Sequence, residues 1–153
     1  MRKKDMDTGG IVGLIARIRE RANLLIEKEL KTRKARGIVP AHGSILAVLF
    51  REDGPVPIKA IVARVGRVKS TVTGMLYTLE RYGYIRKMPC RTDSRVTHIV
   101  LTEKGRAFRA DFEAISRKLR ETVYGSMPER DRRTLMTRLL QIERNLKSAA
   151  GGE

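Results

Sequence analysis

With 153 residues the chain is long enough for one hydrophobic core but short for two independent ones, so a single folding unit is expected. Lys and Arg number 33 against 17 Asp and Glu, and the resulting formal charge of +16 points to a polyanionic partner, leaving nucleic acid, an anionic membrane and acidic proteins open. No apolar run approaches the roughly 18 to 20 residues of a membrane span, no hydrophobic signal core follows MRKKDMDTGG, and one cysteine with two histidines makes neither an internal disulfide nor a closed zinc site. The expectation is a cytoplasmic protein with no membrane partner, metal or cofactor.

Residues 1–10 read as a flexible leader. Apolar residues then recur at Ile11, Leu14, Ile15, Ile18, Ala22, Leu25 and Ile26, the 3.6-residue stripe of a long helix expected to fade around Gly37. Pro40 suits the first turn of a second helix carrying Ile45, Leu46, Leu49 and Phe50, which REDGPVP stops with a turn. A third helix from Ile58 carries Ile61, Val62 and Val65. Gly66 breaks it, and a fourth opens near Lys69, so the pair reads as a helix-turn-helix. Val72, Met75, Leu76 and Leu79 share one face of the fourth helix, so Ser70, Gly74, Tyr77 and Arg81 face outward.

Gly83 ends that helix. YIRKM and RVTHIVL read as two strands of a basic hairpin joined by PCRTDS. Thr102 suits the cap of a helix with the stripe Phe108, Phe112, Ile115, Leu119 and Val123, ending at Gly125. SMPE reads as a capping box, Ser126 with Glu129, and Pro128 inside the first turn. The last helix carries Leu135, Leu139, Ile142 and Leu146, and 149–153 reads as a flexible tail. The fold class expected is mostly α with a small β-hairpin wing, the winged helix-turn-helix lobe spanning 38–105 within one domain over 11–148.

A helix-turn-helix followed at once by a hairpin is a winged helix, in which the second helix enters the major groove and the hairpin lies toward the minor groove. Residues 58–105 hold 10 Lys/Arg and 3 Asp/Glu, so the positive excess is concentrated there, though not confined to it. The segment IVARVGRVKSTVTGMLYTLERYGYI resembles the helix-turn-helix of MarR-family transcriptional regulators. DSRVTHIVLTEKG resembles that family's wing, with Asp-x-Arg leading into a strand that ends Leu-Thr-x-x-Gly, and GIVPAH resembles its approach to the second helix.

The resemblance covers nearly the whole chain and implies a homodimer formed through 11–37 and 106–148. It implies sequence-specific binding of double-stranded DNA at a pseudo-palindromic operator, where a groove-occupying dimer most simply blocks polymerase and so represses, and release by a small-molecule effector in a pocket near His42, although a lone histidine at a helix start is more often structural. It also implies that Asp93 orients the Arg95 side chain for the minor groove; an ordinary surface ion pair is the alternative. Lys69, Ser70, Thr71, Thr73, Gly74 and Tyr77 are the candidate groove residues. Arg67, Arg86, Lys87 and Arg91 are candidates for phosphate contacts, together with Lys59 and Arg64, because such contacts position a protein without specifying sequence. Val68 stands where such helices often carry a capping serine or aspartate.

Two other readings compete. An enzyme would need a constellation of chemical groups, and none is visible. A non-specific architectural or RNA-binding winged helix would use the same charge without an operator. Cys90 is open to a redox reading, with Lys87 and Arg91 favouring its thiolate, or to an ordinary loop role.

Overall fold

In the computed structural model, which describes residues 8–151, the first helical stripe forms α1 (Ile11–Thr32). It stops five residues before Gly37. Lys34 adopts a left-handed conformation (φ 53°) although it is not glycine, and the Ala35 N–H closes the turn on Leu30 O at 3.0 Å. Pro40–His42 make a single 3₁₀ turn that leads into α2 (Gly43–Glu52), which buries Ile45, Leu46, Val48, Leu49 and Phe50. Asp53 ends α2 with φ 49°.

The turn expected at 53–57 also contains a strand. β1 (Val56–Pro57) pairs antiparallel with β3 (Thr97–Leu101), and β3 pairs with β2 (Ile85–Pro89), so the expected hairpin is a three-stranded sheet in the order β1-β3-β2. Two residues are too few to show a period of two. Pro57, which has no N–H to donate, is tolerated because β1 is an edge. The two long strands are one or two residues narrower or shifted at their ends relative to YIRKM and RVTHIVL.

α3 (Ile58–Val65) and α4 (Lys69–Arg81) form the helix-turn-helix. Gly66 supplies the break in the left-handed region (φ 66°), and its N–H closes α3 on Val62 O. The core gathers Ile45, Leu46, Leu49, Ile61, Val72, Leu76, Leu79, Ile85 and Ile99, each at most 1% exposed. Burial of each such side chain contributes about 1.5–3 kcal/mol. A buried charge lies beside this core: Glu29 of α1 is 6% exposed and bonds to both Arg33 and Lys118. These two cations hold its carboxyl below the usual range, Lys118 more strongly than Arg33.

Thr102 caps the next helix as expected, its hydroxyl accepting the Gly105 N–H at 3.0 Å. Gly105 itself has a steric reason: a Cβ there would lie 2.0 Å from Tyr84 O. The expected single helix is divided into α5 (Glu103–Ala107) and α6 (Arg109–Tyr124). The break is slight, since Phe108 stays helical (φ −71°, ψ −13°) and its carbonyl accepts the Phe112 N–H at 3.0 Å.

The chain divides into two units within α6, 1–119 and 120–153. In the second, α7 (Glu129–Ala149) has no buried residue. The capping box is not formed. Pro128 is itself the cap residue, extended at φ −60° and ψ 150°, with no side-chain capping bond, and its carbonyl accepts from Asp131 and Arg132. Ser126 therefore lies two positions too early, and Glu129 pairs instead with Arg133 one turn on. The leader expected at 1–10 lies outside the described residues except for its last three, and the tail expected at 149–153 lies outside them at 152–153.

Candidate nucleic-acid interface

α4 begins where Val68 turns extended (φ −61°, ψ 145°), and no side chain caps it. Its first-turn N–H groups thus have no side-chain acceptor from the cap position, the arrangement that favours an anion at a helix N-terminus. Val72, Leu76 and Leu79 are buried, and Lys69, Ser70, Thr71, Thr73, Gly74 and Tyr77 are exposed; Ser70, Gly74, Tyr77 and Arg81 lie outward as their spacing predicts. Tyr77 is 60% exposed. The Thr73 hydroxyl donates to Lys69 O at 2.8 Å, so its remaining contribution to a partner is an acceptor lone pair and a methyl group. A Cβ at Gly74 would meet nothing within 4 Å; the protein's own packing does not require glycine there.

At the wing, Cys90 N–H donates to Val96 O (2.9 Å) and Val96 N–H to Asp93 O (3.0 Å). The acid expected to hold the Arg95 guanidinium holds the Arg95 main chain instead, accepting its N–H at Oδ1 (3.0 Å). A carboxylate reaches the N–H two residues ahead without ordering a long side chain, whereas the ion pair would cost Arg95 its rotamer freedom. Asp93 thus fixes the wing turn, and with it the direction in which Arg95 leaves the backbone.

Arg95 lines a cleft of about 510 Å³ with Lys59 of α3 and Lys69 of α4, floored by Pro57, Ile58 and Val62. Among the described residues none of these three cations is in an ion pair. The structure brings them together from three separate elements. Arg67, Arg86 and Arg91 are exposed on the same lobe. Lys87 is exposed too, but Glu80 occupies it, with Nζ to Oε2 at 3.1 Å, and Arg64 is paired with Glu52. Glu80 was not singled out by the sequence reading, although it is one of only three acids between residues 58 and 105.

Cys90 is partly exposed, its Sγ 3.3 Å from Thr92 Oγ1. The thiol sits below its ordinary range, but the chief cause is the Thr92 hydroxyl, followed by the Thr92 and Asp93 amides, rather than Lys87 or Arg91. His42 is buried at 3% exposure, and its Nδ1 accepts the Val39 N–H at 3.2 Å, a bond that fastens the start of the 3₁₀ turn. Burial pushes its pKa down. An apolar cavity of about 230 Å³ does lie nearby, between Ile26, Leu30, Leu46, Phe108, Phe112 and Ile115. Its wall passes through Val39, Pro40 and Gly43 without including His42, and Ser116 is the one side chain in it that carries a polar atom. His42 thus has the structural role that a lone histidine at a helix start more often takes, beside the cavity and not in its wall.

A family model described as a winged helix DNA-binding domain matches residues 40–105. The HTH-type transcriptional regulator TtmR of Methylorubrum extorquens (strain PA1) is 33% identical over 109 residues, a match that takes in 70% of this chain and 53% of that protein, so the chain spans about half the length of this relative. Two solved structures share the fold. A MarR transcriptional regulator from Methanosarcina mazei Go1 has a TM-score of 0.75 at 25% identity, over 92% of this chain and 99% of the other. MepR of S. aureus, solved as a complex with DNA, has a TM-score of 0.77 at 20% identity, with the same coverage. The winged helix observed here, the matched domain and these likenesses over nearly the whole fold agree: the chain carries a winged helix DNA-binding domain in the fold of MarR-family transcriptional regulators.

Proposed function

We propose that the protein is a transcriptional repressor that binds double-stranded DNA sequence-specifically, as a homodimer on a pseudo-palindromic operator in the cytoplasm. The observation that carries this reading is the convergence of Lys59, Lys69 and Arg95, in no ion pair among the described residues, beside the polar face of α4. Three like charges around one cleft repel one another, and a phosphodiester backbone passing between α4 and the wing offsets that repulsion. Ser70, Thr71, Thr73, Gly74 and Tyr77 then meet base edges, while Arg67, Arg86 and Arg91 contact phosphates.

A second copy of the chain is the natural cover for the apolar residues left in water. Ile11, Leu14, Ile15 and Ile18 of α1 are 38–51% exposed, and Leu135, Met136, Leu140 and Leu146 of α7 are 39–61% exposed. Twofold symmetry in the protein would match twofold symmetry in the operator. The cavity at Phe108 and Phe112 is the candidate seat of a small-molecule effector that releases the DNA.

Selection of binding sites from random duplexes tests the main claim, with sedimentation of the free protein beside it. The expected results are an inverted-repeat consensus with half-sites about one helical turn apart and a mass twice the 17.3 kDa of one chain. Equal affinity for selected and scrambled duplexes at every salt concentration would replace the repressor by a non-specific architectural protein, and a 17.3 kDa particle would remove the dimer.

A further inference from the structure

Glu80 lies in the last turn of α4, and Lys87 lies in the middle of β2. Both carboxylate oxygens of Glu80 are engaged by this one residue. Oε1 accepts the Lys87 main-chain N–H at 3.2 Å, and Oε2 meets Lys87 Nζ at 3.1 Å. Among the described residues β2 is an edge strand, paired on one side with β3. An edge N–H has no partner in its own sheet, and here a helix side chain supplies the acceptor. The contact spans seven residues and joins the recognition helix to the wing at two atoms, so it constrains the angle between them more than a single point contact would.

We propose that Glu80 is a positioning residue for DNA binding: it clamps the wing to the recognition helix, so that both meet the duplex as one pre-organised head. The inference rests on the DNA-binding reading given above. It assigns a favourable role to an acid on a basic, DNA-facing lobe, where charge counting alone assigns an unfavourable one. A wing held at its binding angle loses less conformational freedom on contact, and that benefit outweighs the local negative charge, which Lys87 already offsets. Lys87 is accordingly part of the clamp rather than a free phosphate contact.

The test uses the full chain. Glu80→Ala and Glu80→Met remove the acceptor, the second with helix propensity kept. Glu80→Gln keeps an acceptor and removes the charge, and Lys87→Met keeps the carboxylate bond to the main chain. Each variant is checked by circular dichroism and thermal melting, titrated onto a duplex that the parent has selected from random sequence, and mapped by hydroxyl-radical cleavage. Glu80→Ala and Glu80→Met are expected to bind about tenfold more weakly, the scale of one lost charge-assisted hydrogen bond. They should retain protection where α4 lies and lose it on the sugars under the wing.

Glu80→Gln should keep the parent's protection pattern, with affinity within about threefold, and Lys87→Met, which loses the ion pair but keeps the main-chain bond, should fall between the parent and Glu80→Met. Tighter or unchanged binding by Glu80→Met, wing protection that survives the loss of the acceptor, or a Glu80→Gln as weak as Glu80→Met would each overturn the clamp. A parent that selects no duplex overturns the DNA-binding reading and the clamp together, a result separable from the others because it precedes any comparison of variants.

Discussion

Gly37 is the most sharply constrained residue in the loop between α1 and α2, and Gly37→Ala should expose how tightly that loop is fastened to the end of the recognition helix. Its φ is +82°, and a Cβ built there would lie 2.1 Å from Cγ of Tyr82, the residue that ends α4. One residue earlier, the Arg36 carbonyl accepts the Tyr84 hydroxyl at 2.9 Å. A non-glycine residue in the left-handed region costs about 1–2 kcal/mol, and forcing an extra carbon into a packed site costs about 1–3 kcal/mol. The expected loss is therefore about 2–5 kcal/mol in urea unfolding. The two contributions separate in a double-mutant cycle: with Tyr82→Ala as the second change, the overlap vanishes and only the backbone strain remains. Gly37→Ala should thus cost less in the Tyr82→Ala background than in the parent, by more than about 1 kcal/mol. Additive losses, or a Gly37→Ala protein within about 0.5 kcal/mol of the parent, would refute the claim that this glycine is held against the ring.

The remaining predictions concern pH, the wing and the reading face. Because burial lowers the His42 pKa from its ordinary value near 6.5, the unfolded chain takes up a proton that the folded one resists; stability should be constant above that pH and fall as the pH drops below it. Melting temperatures of the parent and His42→Phe between pH 8 and 5 check this, and the variant should lose part of the acid-side slope. Asp93→Ala should weaken binding of a selected duplex two- to fivefold, about the worth of one hydrogen bond, and Arg95→Ala should weaken it more; tighter binding by Asp93→Ala would contradict the turn-fixing role. In site selection, Tyr77→Ala should flatten one or two positions per half-site, since a base contact carries about 1–3 kcal/mol of discrimination, and an unchanged profile would mean that α4 is not the reader.

What the sequence makes legible here is whatever repeats. The stripes of α1, α2, α4, α6 and α7 each run for at least two turns, so their existence and apolar faces follow from spacing, and Gly66 marks the helix-turn-helix break because its left-handed φ is one that other residues rarely adopt. Features carried by one or two residues did not show. β1 is two residues long, and two residues past the end of α1 stands a left-handed lysine that no propensity announces. SMPE has the letters of a capping box, yet with Pro128 as the cap residue the helix starts two residues later than that register needs.

The acids of the reading lobe show the same boundary at the level of atoms. Asp93 between two arginines was legible as a residue with a local task, because Asp93 and Arg95 are two positions apart and their contact needs no tertiary fold. Which atom of Arg95 it holds was not, since an Asx turn and an ion pair are written with the same letters. Glu80 and Lys87 lie seven positions apart on different elements, and their contact exists only once Leu76, Leu79 and Ile85 have packed α4 and β2 into one core. Sequence spacing therefore locates the residues that face outward on α4, since facing outward is a property of one helix. The angle between helix and wing belongs to the core between them, and on the proposed DNA-binding reading it is through that core and the Glu80 contact that substitutions far from any base change how the protein reads DNA.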